Sequence, residues 1–398
     1  MLYDAIVVGL GPAGSTAAYG LSKRGLRVLA FDKARFPRYK SCGGCVSVKI
    51  DNVLPFDISP VIEDTVMGAS FTYKSSRPMD IMSDRPVGYS VMRDSFDSLL
   101  LDKAREAGAR IIEGKRIKGL SDEGPSVSVI DEDGVVHSAR FLIGADGAGG
   151  FIGRDYFGLN PRESAISITA EVPYERALYP EIEGRLFIDF GGMPFGYSWI
   201  FPKKRVFSVG IAGDAVKIKG GIKEYFNSFV SSHPLLQGFD IGERTGWTVP
   251  LFYNGAVNAV KGRVLLAGDT GHLVDPFLGE GIYFAVKTAQ TAACCVEEAL
   301  RKGPSSLSTY EDWLKTELYP EFRASGKISD LVFNYPRLWY SILEKEPDIM
   351  LKFYEVVRGV DTNEAFHGYI LDRVKKKPWK VLRRWIESRF LPSEGYSL

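Results

Sequence analysis

The sequence predicts an α/β fold with three parts. These are a Rossmann-like dinucleotide-binding domain, a discontinuous antiparallel β-sheet domain for a second ligand, and a helical C-terminal region. Three observations predict it. An apolar run from Ala5 ends in Gly9-Leu10-Gly11-Pro12-Ala13-Gly14, and an acid, Asp32, closes the next apolar run. Strand-like alternation dominates 164–248. Beyond Pro304 the chain turns helical and aromatic, with twelve Phe, Trp and Tyr from Asp330 to the end.

In chain order, a strand at Tyr3–Val8, a glycine turn, a helix at Pro12–Arg24 and a strand at Arg27–Phe31 make a βαβ opening. Pro12 suits a first helical turn, where its missing N–H costs nothing. Residues 33–60 read as irregular loop and short helix. Phe71–Tyr73 and Asp80–Met82 flank a turn and predict a hairpin. Phe96, Leu99, Leu100 and Ala104 keep helical spacing and predict a helix over Asp94–Ala107. Ile111–Val136 reads as a β-meander, and Phe141–Ile143 as a buried strand entering Gly144-Ala145-Asp146-Gly147. Within 164–248 one helical insertion is expected near Lys223–Val230. Val264–Leu266 is a further buried strand and Ile282–Leu300 a helix.

Composition narrows the function classes. The chain has 398 residues, with 50 basic and 49 acidic side chains, so no whole-molecule field draws it to nucleic acid. Four cysteines are too few for a disulfide framework and favour a reducing compartment. Met1-Leu2-Tyr3-Asp4 lacks the basic start of a signal peptide, and no run of about 18 apolar residues occurs. A cytoplasmic protein, held at most to a membrane surface, is expected. Glycine is enriched, at 42 residues, and much of the excess sits in three clusters.

In GxGxxG, Gly9 permits the tight turn, Gly11 lets backbone approach a pyrophosphate, and Gly14 lets helix and strand pack closely. Pro12 and Ala13 open the helix whose N-terminus receives the phosphates. Asp32, with Lys33 beside it, stands where a ribose hydroxyl pair is held. The second cluster runs from Gly268-Asp269 to Pro276, Gly279, Gly281 and Ile282, a strand feeding an acid and then a helix. Asp269 can accept from ribityl hydroxyls, and the helix N-terminus can face a flavin pyrimidine. The third is Asp146-Gly147, with Arg154 beyond. In this order and spacing the clusters point to FAD.

The chain resembles the flavoprotein superfamily with the p-hydroxybenzoate hydroxylase fold from Met1 to about Leu300. Within it, the geranylgeranyl reductase family is the nearer likeness. Cys42-Gly43-Gly44 resembles that family's CGG segment beside the flavin. Tyr197-Ser198-Trp199-Ile200-Phe201-Pro202-Lys203, with Gly210 after it, resembles its YxWxFPK…G sequence. Arg93, Phe96 and Asp97 resemble the superfamily's RxxFDxxL helix, whose arginine lies near the cofactor. The resemblance implies an FAD-dependent reductase saturating C=C bonds of polyprenyl groups on a lipid or pigment, with NADPH or a ferredoxin as electron donor. It implies an FAD-binding domain at 1–67, 88–160 and 249–303, a substrate sheet domain at 68–87 and 161–248, and a C-terminal region at 304–398. A monooxygenase or halogenase of the same fold is the alternative, since YSWIFP also resembles the halogenase WxWxIP. A flavoprotein passing electrons to a quinone-linked partner is another.

Tyr197, Trp199 and Phe201, spaced by two, share one face of a strand and suit a long apolar chain. A plain sheet core is the competing reading. Cys42, Tyr197 and Trp199 are the candidate catalytic residues, with the Cys42 thiol, Tyr197 or water as proton donor. Cys42 and Cys45 leave three readings open: a redox disulfide, a thiol beside the flavin, or packing. Adjacent Cys294 and Cys295 have the wrong spacing for a second zinc knuckle, and His137, His233 and His367 have no metal-ligand company. His272 lies in the second glycine cluster. Residues 374–390 carry seven Lys/Arg against one acid, with Trp379, Leu382, Trp385, Ile386 and Phe390 among them. They read as a basic amphipathic helix for an anionic membrane surface, or as a docked terminal helix.

Overall fold

A computed structural model describes residues 1–160, 164–253, 257–376, 378–379 and 383. Most of the basic segment at 374–390, including Leu382, Trp385, Ile386 and Phe390, lies outside the described residues.

The opening unit forms as its pattern dictates. Leu2–Val8 and Val28–Asp32 pair in parallel, joined by the helix Pro12–Lys23. Both strands are apolar and nearly continuous, as strands covered on both faces are. Val136–Gly144 lies parallel on the other side of Leu2–Val8, and Val264–Leu266 parallel beyond it. Helices Pro12–Lys23, Arg93–Glu106 and Ile282–Lys302 cover this sheet. Arg110–Glu113, expected to begin the meander, instead pairs in parallel with Val28–Asp32. The meander proper is Ile117–Glu123, Ser126–Asp131 and Val136–Gly144.

A second sheet of seven strands takes Gly68–Tyr73 and Met79–Met82 from early in the chain and the rest from between Ala165 and Val249. The early hairpin docks through a parallel pairing of Gly68–Tyr73 with Arg185–Phe190. Gly196–Pro202 lies inside this sheet, between Arg185–Phe190 and Val206–Asp214. One face packs on the helix Ile222–Ser232 through Phe226 and Phe229. The other carries Trp199 and Phe201 toward the C-terminal helices Tyr319–Asn334, Pro336–Lys345, Asp348–Val357 and Asn363–Lys376.

The segment 33–60 holds more order than loop and short helix. Cys45–Ser47 is a strand, pairing with Gly88–Val91, which also takes Ile62–Val66. This small sheet ties the Cys42–Gly44 turn between the two larger ones. No described helix is long and apolar enough to cross a membrane.

Candidate functional site

One continuous cavity of about 1660 Å³ runs from the first glycine loop to the aromatic face of the seven-stranded sheet. That exceeds the ~300–1,000 Å³ of an ordinary small-molecule site, leaving room for a dinucleotide and a second ligand.

At one end Gly9, Gly11, Pro12, Ala13, Asp32 and Lys33 line it. Gly9 has φ +92°, and a Cβ there would meet the Ala145 carbonyl oxygen at 2.3 Å, so only glycine makes this turn. Gly14 stands one layer behind, where a Cβ would lie 1.7 Å from the Gly9 carbonyl oxygen. A Cβ on Gly11 would meet only Arg38 Nη2, at 3.5 Å, so it leaves bare backbone facing the cavity. The first turn of the helix carries no acid. Asp32 accepts from the Leu10 N–H at 2.7 Å and the Ala34 N–H at 2.8 Å, which fixes its carboxylate at the cavity edge.

Arg38 was not legible as a site residue, though a run of basic side chains follows Asp32. Its guanidinium reaches Asp97 at 3.0 Å, and Arg93 pairs with the same buried carboxylate at 2.8 Å. Arg38 Nη1 is buried without a hydrogen-bond partner. An unpartnered guanidinium nitrogen beside a bare helix N-terminus fits a pyrophosphate.

The other two glycine clusters meet the first. Asp146 accepts from the Ile152 N–H at 3.0 Å through Oδ2, while its Oδ1 is buried and unpartnered, an acceptor suited to a ligand hydroxyl. Burial pushes its carboxyl up to about 6. A Cβ on Gly150 would lie 2.2 Å from that Oδ1, so this glycine gives the carboxylate room. Gly147 has φ +83° and a free approach. Asp269, Pro276, Gly279, Gly281 and Ile282 line the cavity, with a second helix N-terminus at Gly281. Gly268 (φ +59°) stands behind, against Ala13 and Ala285. Asp275 is a turn residue: buried, it accepts from the Phe277 and Leu278 N–H groups at 2.9 and 2.8 Å. His272 takes a left-handed φ of +53° and is not among the lining residues. The cradle therefore fits FAD on the donors, acceptors and bare backbone present.

The Cys42–Gly44 turn lies where cradle and aromatic face meet. All four cysteines are free thiols, and Cys42 lines the cavity half-buried. Cys45 is pushed up to about 12, first by burial and then by Glu280, so it is a poor thiolate. A Cβ on Gly43 would come within 2.8 Å of the Phe201 ring, so the turn lies flat on the aromatic strand.

Tyr197, Trp199 and Phe201 do share one face, with successive ring centroids 6.0 Å apart. Trp199 faces Gly210 across the strand pair, and a Cβ there would lie 2.2 Å from the indole. That is the physical sense of the glycine after the aromatic motif. The C-terminal helices extend this wall: Phe333 lies 6.3 Å from Tyr197 and 5.6 Å from Phe277, which lies 5.4 Å from Phe353. The Tyr197 hydroxyl donates to the Leu278 carbonyl at 2.6 Å, and burial raises its pKa, which makes it a poor acid. Half-buried Lys40 also lines the cavity, with its ammonium 3.7 Å from the Trp247 ring centroid, and burial lowers it to about 8.

Residues 7–62 match the model of an NAD(P)-binding Rossmann-like domain. A digeranylgeranylglycerophospholipid reductase of Thermoplasma volcanium is 32% identical over 79% of this chain and 83% of its own. A geranylgeranyl diphosphate reductase of Rhodobacter capsulatus is 28% identical over 96% and 95%. Among solved structures, a geranylgeranyl bacteriochlorophyll reductase-like protein of Thermoplasma acidophilum superimposes with a TM-score of 0.73, at 24% identity over 97% of this chain and 99% of its own. The flavin-dependent brominase Bmp2 shares the fold at 0.73 and 19% identity, over 94% and 100%.

Proposed function

The chain belongs to the geranylgeranyl reductase family, and from that premise we propose that it is an FAD-dependent reductase saturating C=C bonds in polyprenyl groups of a lipid. The observation that carries this reading is the single cavity, polar and glycine-lined at one end and walled by aromatic rings at the other. When bound, FAD supplies hydride to one alkene carbon, and the other carbon then needs a proton.

We assign 1–67, 88–160 and 249–303 to holding the cofactor, 68–87 and 161–248 to the substrate sheet, and 304–398 to a C-terminal helical region. Gly9, Gly11, Pro12, Ala13, Arg38 and Arg93 would hold the pyrophosphate end. Asp32 and Lys33 would take the adenosine ribose. Asp146, Gly147, Asp269, Pro276, Gly279, Gly281 and Ile282 would hold the ribityl and ring end, with Cys42, Gly43 and Gly44 against its other side. Tyr197, Trp199, Phe201 and Phe333 would align the prenyl chain and exclude water. Burial at roughly 0.8 kcal/mol per CH₂ gives a twenty-carbon chain on the order of 10 kcal/mol before ordering costs. With Tyr197 committed to Leu278, the Cys42 thiol and water are left as proton sources.

The test is anaerobic incubation of FAD-loaded, dithionite-reduced protein with an unsaturated archaeal-type ether phospholipid. Products heavier by two hydrogens per double bond are expected. Oxygen-dependent hydroxylation or halogenation, without such products, would place the chain with the brominase instead. NADPH or ferredoxin is the proposed donor. The basic segment 374–390 is proposed to rest on anionic lipid, at up to about 1 kcal/mol per basic side chain before screening. A chain cut after Asp372 should lose liposome sedimentation; unchanged binding would return the segment to a docked helix.

A further inference from the structure

Lys203 ends the aromatic motif, and it is 1% exposed. A buried ammonium is costly unless it is compensated. Its Nζ lies 3.8 Å from Glu171 Oε2. Glu171 is directly opposite Ser208 on the neighbouring strand, and Ser208 directly opposite Phe201 on the next. Phe201, Ser208 and Glu171 therefore form one row across the sheet, on the face that carries Trp199.

The Cys42–Gly44 turn rests on this row. Gly43 lies on the Phe201 ring, and a Cβ on Gly44 would be 3.0 Å from Lys203 Nζ. The Ser208 hydroxyl, fully buried, is 3.1 Å from Glu171 Oε1 and 3.4 Å from the Cys42 carbonyl oxygen. Elsewhere on the turn the Val91 N–H donates to the Gly44 carbonyl at 2.7 Å, the Gly44 N–H lies 3.4 Å from Cys42 Sγ, and the Arg93 side chain hydrogen-bonds Cys42.

We propose that Lys203, Glu171 and Ser208 form a buried positioning set that fixes where the Cys42 thiol stands in the cavity. The single Ser208 hydroxyl proton bridges Glu171 Oε1 and the Cys42 carbonyl as a three-centre bond, and Lys203 neutralises Glu171 while underlying Gly44. The inference rests on the reading of Cys42 as a residue beside the reaction centre. Its test does not need substrate.

In a Cys294→Ala background, which removes the exposed thiol, iodoacetamide modification of Cys42 is followed by peptide mass. Two variants are compared. Ser208→Ala removes the hydroxyl that bridges Glu171 and the Cys42 carbonyl and leaves both charges in place. Lys203→Met with Glu171→Gln removes both buried charges together, avoiding the unpaired charge that a single substitution would leave. Both are expected to melt as a single transition and keep FAD. In both, Cys42 should alkylate at least fivefold faster, and alkene reduction should show a fall in kcat with KM held. Wild-type alkylation rates in both variants would overturn the proposal, whatever the enzyme's activity proves to be. Faster alkylation with no alkene reduction by the parent chain would leave the positioning set standing and overturn the function.

Discussion

Asp146 carries a measurable consequence of its burial. Its carboxyl ionises near 3.8 in an unfolded chain and is pushed up to about 6 by burial in the fold. Between those values the unfolded chain has released a proton that the folded one keeps, so the apoprotein loses stability as pH rises through that window. The loss is complete by pH 7 and amounts to roughly 3 kcal/mol. Asp146→Asn should therefore raise the apoprotein Tm at pH 7 and leave it unchanged at pH 3.5, read by scanning calorimetry. Equal shifts at both pH values would mean that the carboxyl is not desolvated. The same residue shows how far the sequence speaks. Asp146-Gly147 was legible because the cluster is local, whereas the room that Gly150 leaves for the carboxylate emerges only once the turn closes.

The turn Asp275–Leu278 illustrates how elements hand chemistry to one another. Its backbone is folded onto Asp275 from within and tied to the substrate sheet from without, by the Tyr197 hydroxyl. Removing that hydroxyl forfeits a hydrogen bond of about 1 kcal/mol and leaves the Leu278 carbonyl to find another donor. Tyr197→Phe should lower Tm slightly and keep alkene reduction within about tenfold of the parent. Complete loss of turnover with FAD retained would make the phenol the proton donor. Among the elements the sequence spoke unevenly. The βαβ opening and the strand Gly196–Pro202 follow from apolar spacing alone. The parallel docking of Arg110–Glu113 and the pairing of Cys45–Ser47 with Gly88–Val91 do not, because strand partners far apart in sequence are chosen by packing. Lys203 was readable as part of a motif, but its burial was not, since its partner Glu171 sits well upstream on another strand.

Across the whole molecule, the two ends of the cavity come from different stretches of chain. Three glycine loops, at 9–14, 144–147 and 268–282, build one end. The sheet strand Gly196–Pro202 and helices beyond Tyr319 build the other, where Phe333 meets Tyr197 from a distant part of the sequence. The aromatic enrichment of the C-terminal region was visible in the sequence; which rings converge was not. If the two ends serve one reaction, the prenyl chain lies against the cofactor and oxidises it without help from oxygen. Stopped-flow absorbance of FAD-loaded, reduced protein mixed anaerobically with an unsaturated polyprenyl phospholipid reads this out. Oxidised-flavin absorbance should return in the absence of oxygen, in proportion to bonds saturated, and Trp199→Ala should slow this at least tenfold while keeping FAD. Flavin that stays reduced until oxygen is admitted would contradict the joint role of the two ends.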